Sequence, residues 1–294
     1  MSADGQSPAA GLIVGYKGEA GADVLAFARR WARASAEPVC VVTVYPGPAP
    51  IGMGRVDVEW VAYGRSEAKR LLDEARSTLG DDVAAEFREV PADSASHGIH
   101  DVAEDAGPGS IVVLGSRKTR GLRRTNPGST AERLLQGSAT PIALVPWDYE
   151  SAEDNELARV VVAYVETPDG QAALRQAVSI ASRLGASLEL VSVVPDTRVV
   201  PALGDIRRFG HEQRAAYAEA LDRAIAGLPV GTQATSRLID GSVVDALGDI
   251  TPDAADLLIC GSRGYGPARR VLLGGVSSRV LRHARVPVIV VPRG

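Results

Sequence analysis

The chain carries one pattern twice. The stretch "IVVLGSRKTRGLRRTNPGSTAERLLQGSATPIALVP" (111–146) is matched by "LLICGSRGYGPARRVLLGGVSSRVLRHARVPVIVVP" (257–292) at a constant offset of 146 residues. Gly115 pairs with Gly261, Arg117 with Arg263, Gly128 with Gly274, Arg133 with Arg279 and Pro141 with Pro287. The starts agree too: "GLIVGYKGEAGADVLAFARRWA" resembles "RVVVAYVETPDGQAALRQAVSIA". A duplication fixes the organisation before any element is assigned, because both halves must solve the same folding problem. With 294 residues, each half is long enough for its own core. The polar, acidic "WDYESAEDNELA" (147–158) reads as the join. The expected domains are therefore 1–147 and 159–294, with a linker over 148–158.

Within each half, strand-like and helix-like segments alternate. The strand-like runs are "GLIVGY", "PVCVVTVY", "AEFREVPA", "SIVVLGS" and "PIALVP", then "RVVVAY", "SLELVSVV", "QATSRLID", "DLLICGS" and "PVIVVP". Between them, apolar residues recur at three- and four-residue steps over Ala22–Ser35, Gly64–Leu79, Gln171–Leu184 and Gly210–Leu228. Such alternation predicts an α/β fold with parallel sheets covered by helices and right-handed crossovers. Aromatics are only 4% of the chain, so the cores must be aliphatic, which suits parallel sheets. Ligands of such sheets sit beyond the carboxyl ends of the strands, where strand order reverses.

The glycines of "GSRGYGPARRVLLGGVSS" fall at that edge. Glycine lets a backbone approach a ligand with no Cβ in the way. A helix starting near Gly274 offers unpaired amides and a partial positive field, which suits phosphate. Ser262 and Ser277 add hydroxyls, and Arg263, Arg269 and Arg270 add charge.

The spacing Gly261, two residues, Gly264, nine residues, Gly274, followed by "SRVLRHARVPVIVVP", closely resembles the universal stress protein family. The resemblance covers nearly the whole chain, as two tandem domains. It implies two Rossmann-like domains, each a five-stranded parallel sheet ordered 3-2-1-4-5 and flanked by helices. It also implies that the fifth strands, "ATPIALVP" and "RVPVIVVP", pair the two domains, which protects two apolar edges. ATP, with Mg2+ on its phosphates, is the ligand of the nucleotide-binding branch. Carried onto this chain, the site is Gly261, Ser262, Arg263, Gly264, Gly274, Gly275 and Ser277. Gly275 occupies the usual Ser/Thr place. In the first half the matching positions are Gly115, Lys118, Gly128 and Ser129, so Lys118 replaces a glycine. The Asp that the family carries after the first strand is Lys17 in one half and Val165 in the other. ATP is therefore expected to bind weakly and in the second domain. The first-half pocket is expected to be filled.

Other chemistries find little support. There is no Gly-x-x-x-x-Gly-Lys-Ser/Thr loop, and no dinucleotide fingerprint follows either first strand. "HGIH" (His97, His100) reads either as exposed helix residues or as two ligands of a metal. "SRKTRGLRRT" (116–125) reads as the flank of an anion site or as a nucleic-acid contact. A net charge of −4 argues against nucleic acid. Cys40 and Cys260 lie in apolar runs and read as buried free thiols. No apolar run reaches the roughly 18–20 residues that span a bilayer. The start, Met1–Ala10, is polar with no export pattern, so the expected location is cytoplasmic. The stretch 46–60, rich in Pro and Gly, reads as a loop serving as a lid or partner surface. The resulting expectation is a non-enzymatic regulatory or protective binding protein, with further homo-oligomers and protein partners open. The alternative is a scaffold of the same fold that acts through protein partners without nucleotide.

Overall fold

In the computed structural model, residues 11–47, 58–117, 127–149, 156–195, 206–262 and 275–292 are described. The chain divides into two compact units, whose described residues run from 11 to 149 and from 156 to 292.

The first unit contains β1 (Leu12–Gly15), α1 (Ala22–Ser35), β2 (Val39–Pro46), α2 (Val58–Leu79), β3 (Ala85–Ala92), α3 (Ala95–Ala106), β4 (Ile111–Gly115), α4 (Ser129–Gly137) and β5 (Ile142–Val145). Its strand order is β3-β2-β1-β4-β5, and every pairing between them is parallel. Leu12, Ile13 and Val14 of the central strand are wholly buried, as a strand covered on both faces must be. The edge strand β3 is half-buried and carries the Arg88–Glu86 ion pair. Helix α1 buries Val24, Leu25, Phe27, Ala28 and Trp31, positions spaced along one face. It stops at Ala36, which turns left-handed (φ 56°) and returns its amide to the Ala32 carbonyl. Helix α3 starts where the Ser94 hydroxyl accepts from the His97 amide at 3.2 Å.

The second unit contains β6 (Arg159–Ala163), α5 (Pro168–Leu184), β7 (Ser187–Val194), α6 (Ile206–Ala226), β8 (Ala234–Asp240), α7 (Val243–Gly248), β9 (Leu257–Gly261), α8 (Gly275–His283) and β10 (Val288–Val291). Its order, β8-β7-β6-β9-β10, repeats the first, again all parallel. Helix α5 has Thr167 as its cap, accepting from the Gly170 amide at 3.1 Å, and Pro168 at its first position. The expected fold class and strand order are thus both present.

The starts of three helices differ from expectation: α5 begins at Pro168 and not Gln171, α6 at Ile206 and not Gly210, and α2 departs most. Helix α2 begins at Val58, so the end of the supposed 46–60 loop is helical. Gly64, read as the start of the helix, lies within it. A Cβ there would come within 3.1 Å of the Pro46 ring, so the glycine permits α2 to pack on the end of β2. That contact outweighs the helix-weakening cost of glycine, about 1 kcal/mol.

In each unit, the strand order reverses on either side of the central strand. The crevice that this leaves at the carboxyl ends of β1 and β4 is where a ligand site belongs.

Candidate functional site

A cleft of about 480 Å³ opens at that place in the first unit. Its volume falls within the usual range for small-molecule sites. The described residues leave this cleft open, while the expectation of a filled first-half pocket rests on Lys118. Lys17 lines the cleft but is exposed, so its chain does not plug the interior. Lys118 lies outside the described residues.

One end of the cleft is built from the turn after β4 and the start of α4. The Ser116 amide donates to the Val145 carbonyl at 2.9 Å, which fixes the turn against β5. Ser116 lines the cleft and is only 3% exposed, and its hydroxyl is buried without a hydrogen-bond partner. A buried hydroxyl with no partner is costly, and such sites call for an explanation. Beside it, α4 is capped by Gly128, which has no side chain to offer the first amides. Ser129, Thr130 and Ala131 line the cleft, and the amides of this first turn have no acceptor within the helix. Arg117 lies over this corner: a Cβ on Gly128 would be 3.1 Å from its Nε. A hydroxyl, three helix-terminal amides and a guanidinium converge here, which is the donor set for a phosphate or carboxylate.

The opposite end is formed by β1, β2 and α2. The Tyr16 amide donates to the Val42 carbonyl at 2.9 Å, and the Tyr16 carbonyl accepts from the Thr43 hydroxyl at 3.2 Å. The Tyr16 hydroxyl donates to Glu74 at 2.9 Å. Burial, then the Glu74 hydrogen bond and charge, push its pKa up to about 12. Along α2, Trp60, Tyr63, Gly64, Glu67, Ala68 and Leu71 face the cleft at helical spacing. Glu67 is held by Arg70 at 2.6 and 2.9 Å, and these bonds keep its carboxyl below the usual range. Its charge is therefore offset locally, whereas Lys17 and Arg117 leave the cleft favourable to anions.

In the second unit, Gly261, Ser262, Gly275 and Ser277 are described, while Arg263, Gly264 and Gly274 lie outside the described residues. The two ends of the glycine motif do meet: the buried Ser277 hydroxyl donates to the Gly261 carbonyl at 3.0 Å. The Ser262 amide donates to the Val291 carbonyl at 2.9 Å, as Ser116 does in the first unit. Gly275 opens α8 and is exposed. The turn after β6 is tight, with the Thr167 amide donating to the Val165 carbonyl at 2.7 Å. Only glycine fits at 170, where a Cβ would be 2.0 Å from that carbonyl. The first turn of α5 also lies on the glycine motif: a Cβ at Gly261 would meet the Asp169 carbonyl at 2.9 Å. Val165 is 8% exposed, so its side chain packs inward where Lys17 faces solvent.

The remaining candidates do not assemble. His97 faces Asp101 at 3.6 Å and His100 faces Glu104 at 3.3 Å, as separate pairs along α3. Among the described residues, no three potential metal ligands come together. Cys40 and Cys260 are buried and free. No helix of the described residues is long and apolar enough to cross a membrane. The basic run 116–125 is described only at Ser116 and Arg117. What the sequence reading missed is the α2 wall, Trp60 and Tyr63 above all. An aromatic pair three residues apart was visible there, but the Pro/Gly-rich flank hid the helix that aligns it.

The model of the Universal stress protein family matches the chain twice, over residues 12–146 and 156–292. The chain belongs to the universal stress protein family. A curated universal stress protein of Mycobacterium tuberculosis is 28% identical over 294 residues, covering 96% of this chain and 99% of that one. Another, of Mycolicibacterium smegmatis, is 29% identical, with 96% of each chain covered. The crystal structure of a universal stress protein from Archaeoglobus fulgidus matches at a TM-score of 0.66 and 21% identity, covering 98% of both chains, which shows a shared fold.

Proposed function

We propose that this universal stress protein is a regulatory or protective binding protein that takes an adenine nucleotide without turning it over, with the phosphates at the first-unit cleft. The observation that carries this reading is the convergence of the partnerless Ser116 hydroxyl, the uncapped α4 amides and Arg117 on one end of an open cleft. A Mg2+ ion would be carried by the phosphates, since the described residues form no cluster of metal ligands. The cleft's carboxylate, Glu67, is engaged by Arg70, so among the described residues the phosphate end offers donors and no free carboxylate to act as a general base.

A second reading places ATP at the second unit, on Gly261, Ser262, Gly275 and Ser277. It is favoured by the Ser277–Gly261 hydrogen bond, which gathers the two ends of the motif.

Calorimetric titration of Mg2+–ATP decides between them. Under the first reading, Arg117→Ala weakens binding roughly ten- to a hundred-fold, the worth of one charge-assisted hydrogen bond. Ser277→Ala then leaves the affinity unchanged. The reverse pattern assigns the site to the second unit. Absence of binding by the unaltered protein, together with no nucleotide released on denaturation, leaves the scaffold alternative.

A further inference from the structure

The first-unit cleft has an aromatic face that its anion-binding end does not use. Trp60 and Tyr63 lie three residues apart on α2, with ring centroids 6.1 Å apart and planes inclined by only 25°. Both line the cleft, yet they remain 57% and 64% exposed. In a chain with three tryptophans, this is an expensive way to use one; Trp31, by contrast, is wholly buried. Scattered apolar residues on a surface need no explanation, but stacked aromatics on a cleft wall do. The two rings are stacked on each other, so they act as one aromatic unit and not as an open clamp for a base to enter.

Across the cleft, the donor corner at Ser116, Arg117 and Gly128 suits an anion. The ligand that satisfies both walls has a planar ring at one end and an anionic group at the other. Lys17, on the rim, adds a donor and excludes cationic ligands. Stacking is tolerant of ring identity, because every nucleobase has a π-face. On the α2 wall Glu67 is engaged by Arg70, and the Trp60 indole N–H and Tyr63 hydroxyl are ring-edge groups, whereas stacking uses the ring faces and does not distinguish one base from another.

We propose that Trp60 and Tyr63 are the ring-binding wall of this cleft, and that the cleft selects nucleoside phosphates as a class, with little choice among bases. This inference rests on the phosphate end being where the preceding section places it.

The test compares Mg2+–ATP, Mg2+–GTP and inorganic tripolyphosphate on the full chain. Affinity is read by calorimetry, and tryptophan emission is read alongside. In the unaltered protein both nucleotides bind more tightly than tripolyphosphate, within a few-fold of each other, and quench the exposed Trp60. The double variant Trp60→Ala/Tyr63→Ala loses about five- to a hundred-fold in affinity for both nucleotides, the range that stacked rings contribute. Its affinity for tripolyphosphate is unchanged. Trp60→Phe keeps nucleotide affinity within about three-fold and abolishes most of the quenching. Both residues are exposed, so unchanged circular dichroism is expected of all variants. Undiminished nucleotide affinity in the double variant overturns the aromatic wall while leaving the phosphate site standing. An equal loss for tripolyphosphate also overturns it, because the change then acts on the phosphate end. A preference between ATP and GTP beyond about ten-fold defeats the tolerance to base. If neither nucleotide nor tripolyphosphate binds the unaltered protein, the phosphate reading itself fails, and the wall with it.

Discussion

The Ser277 hydroxyl, 4% exposed, donates to the Gly261 carbonyl at 3.0 Å, whereas the matching position of the first unit, 146 residues earlier, is Ala131, which has no hydroxyl to give. The second unit therefore ties the two ends of its motif with a side-chain bond that Ala131 cannot make, while the first unit buries the Ser116 hydroxyl without a hydrogen-bond partner. Replacing Ser277 with Ala removes a buried bond and strands the carbonyl. A loss of about 1–2 kcal/mol is expected in the urea unfolding free energy. Ser116→Ala removes a polar atom that already lacks a partner, so it is expected to be neutral or stabilising in the absence of ligand. The same urea titration, run on both variants, checks the contrast.

Gly128→Val probes the corner directly. Its φ of −76° is open to any residue, so the backbone tolerates valine. The branched side chain, however, enters the space beside the Arg117 Nε and in front of the first amides of α4. ATP affinity should fall at least ten-fold while the urea midpoint moves little, a cost of about 1 kcal/mol or less. Calorimetry paired with unfolding separates the two effects. A variant that binds ATP normally would remove the phosphate from this corner.

Asp256 is the polar pivot of the second unit. Its carboxylate accepts from the Ala158 and Arg159 amides at 3.1 and 2.9 Å and from the Arg159 guanidinium at 3.0 Å, with its side chain only 7% exposed. Asp256→Ala strands two backbone donors at the start of β6. The expected loss is about 2–4 kcal/mol, discounted because the Arg159 side chain is 42% exposed. Asp256→Asn, which keeps an acceptor, should cost less. Chemical denaturation of the pair is the measurement.

The buried thiols set a pH dependence. Burial pushes Cys260 up to about 12 and Cys40 up to about 11, in the latter case with Arg88 opposing. Both lie above the unfolded value of about 8.5. Their contribution to stability is therefore fully present below that value, and it is lost as pH rises through the folded values. Thiol titration at pH 8 should find no reactive cysteine in the folded protein and two in guanidinium. Rapid labelling of the native state would contradict the burial.

Most of this fold is legible in the residues. "AEFREVPA" and "SLELVSVV" coincide with β3 and β7, and Ala22–Ser35 coincides with α1. Those segments are bounded by turns and carry an unambiguous period. The errors fall where local chemistry and tertiary contact disagree. Helix α2 was read from Gly64 because glycine resembles a boundary; the Pro46 ring pressing on it shows that it is a contact. Helix α5 starts at Pro168, before the expected Gln171, because Thr167 and Pro168 form a cap that an apolar period does not register.

The site was less legible. A glycine-rich turn followed by a helix is visible in both halves, and it points to phosphate as the proposed ligand. Where single side chains such as Lys17 and Val165 lie is encoded by no spacing, and residues 263–274 of the second half are outside the described residues. Lys118, the residue expected to fill the first pocket, lies outside the described residues, while Lys17 is exposed. The Trp60–Tyr63 face required the helix start to be placed six residues earlier.

The contrast between Lys17 and Val165 also bears on how reversible each copy's history is. Exchanging the exposed Lys17 for Asp changes a charge in water and disturbs no packing. Exchanging Val165 for Asp would place a carboxylate at a site 8% exposed, beside a carbonyl that already crowds Gly170. Uncompensated burial of that kind costs several kcal/mol, a large share of a typical domain's stability. At the first copy, one substitution can therefore restore the family's Asp without disturbing the packing. The second has locked its divergence into the fold, and undoing it would require coordinated changes in the turn that follows β6.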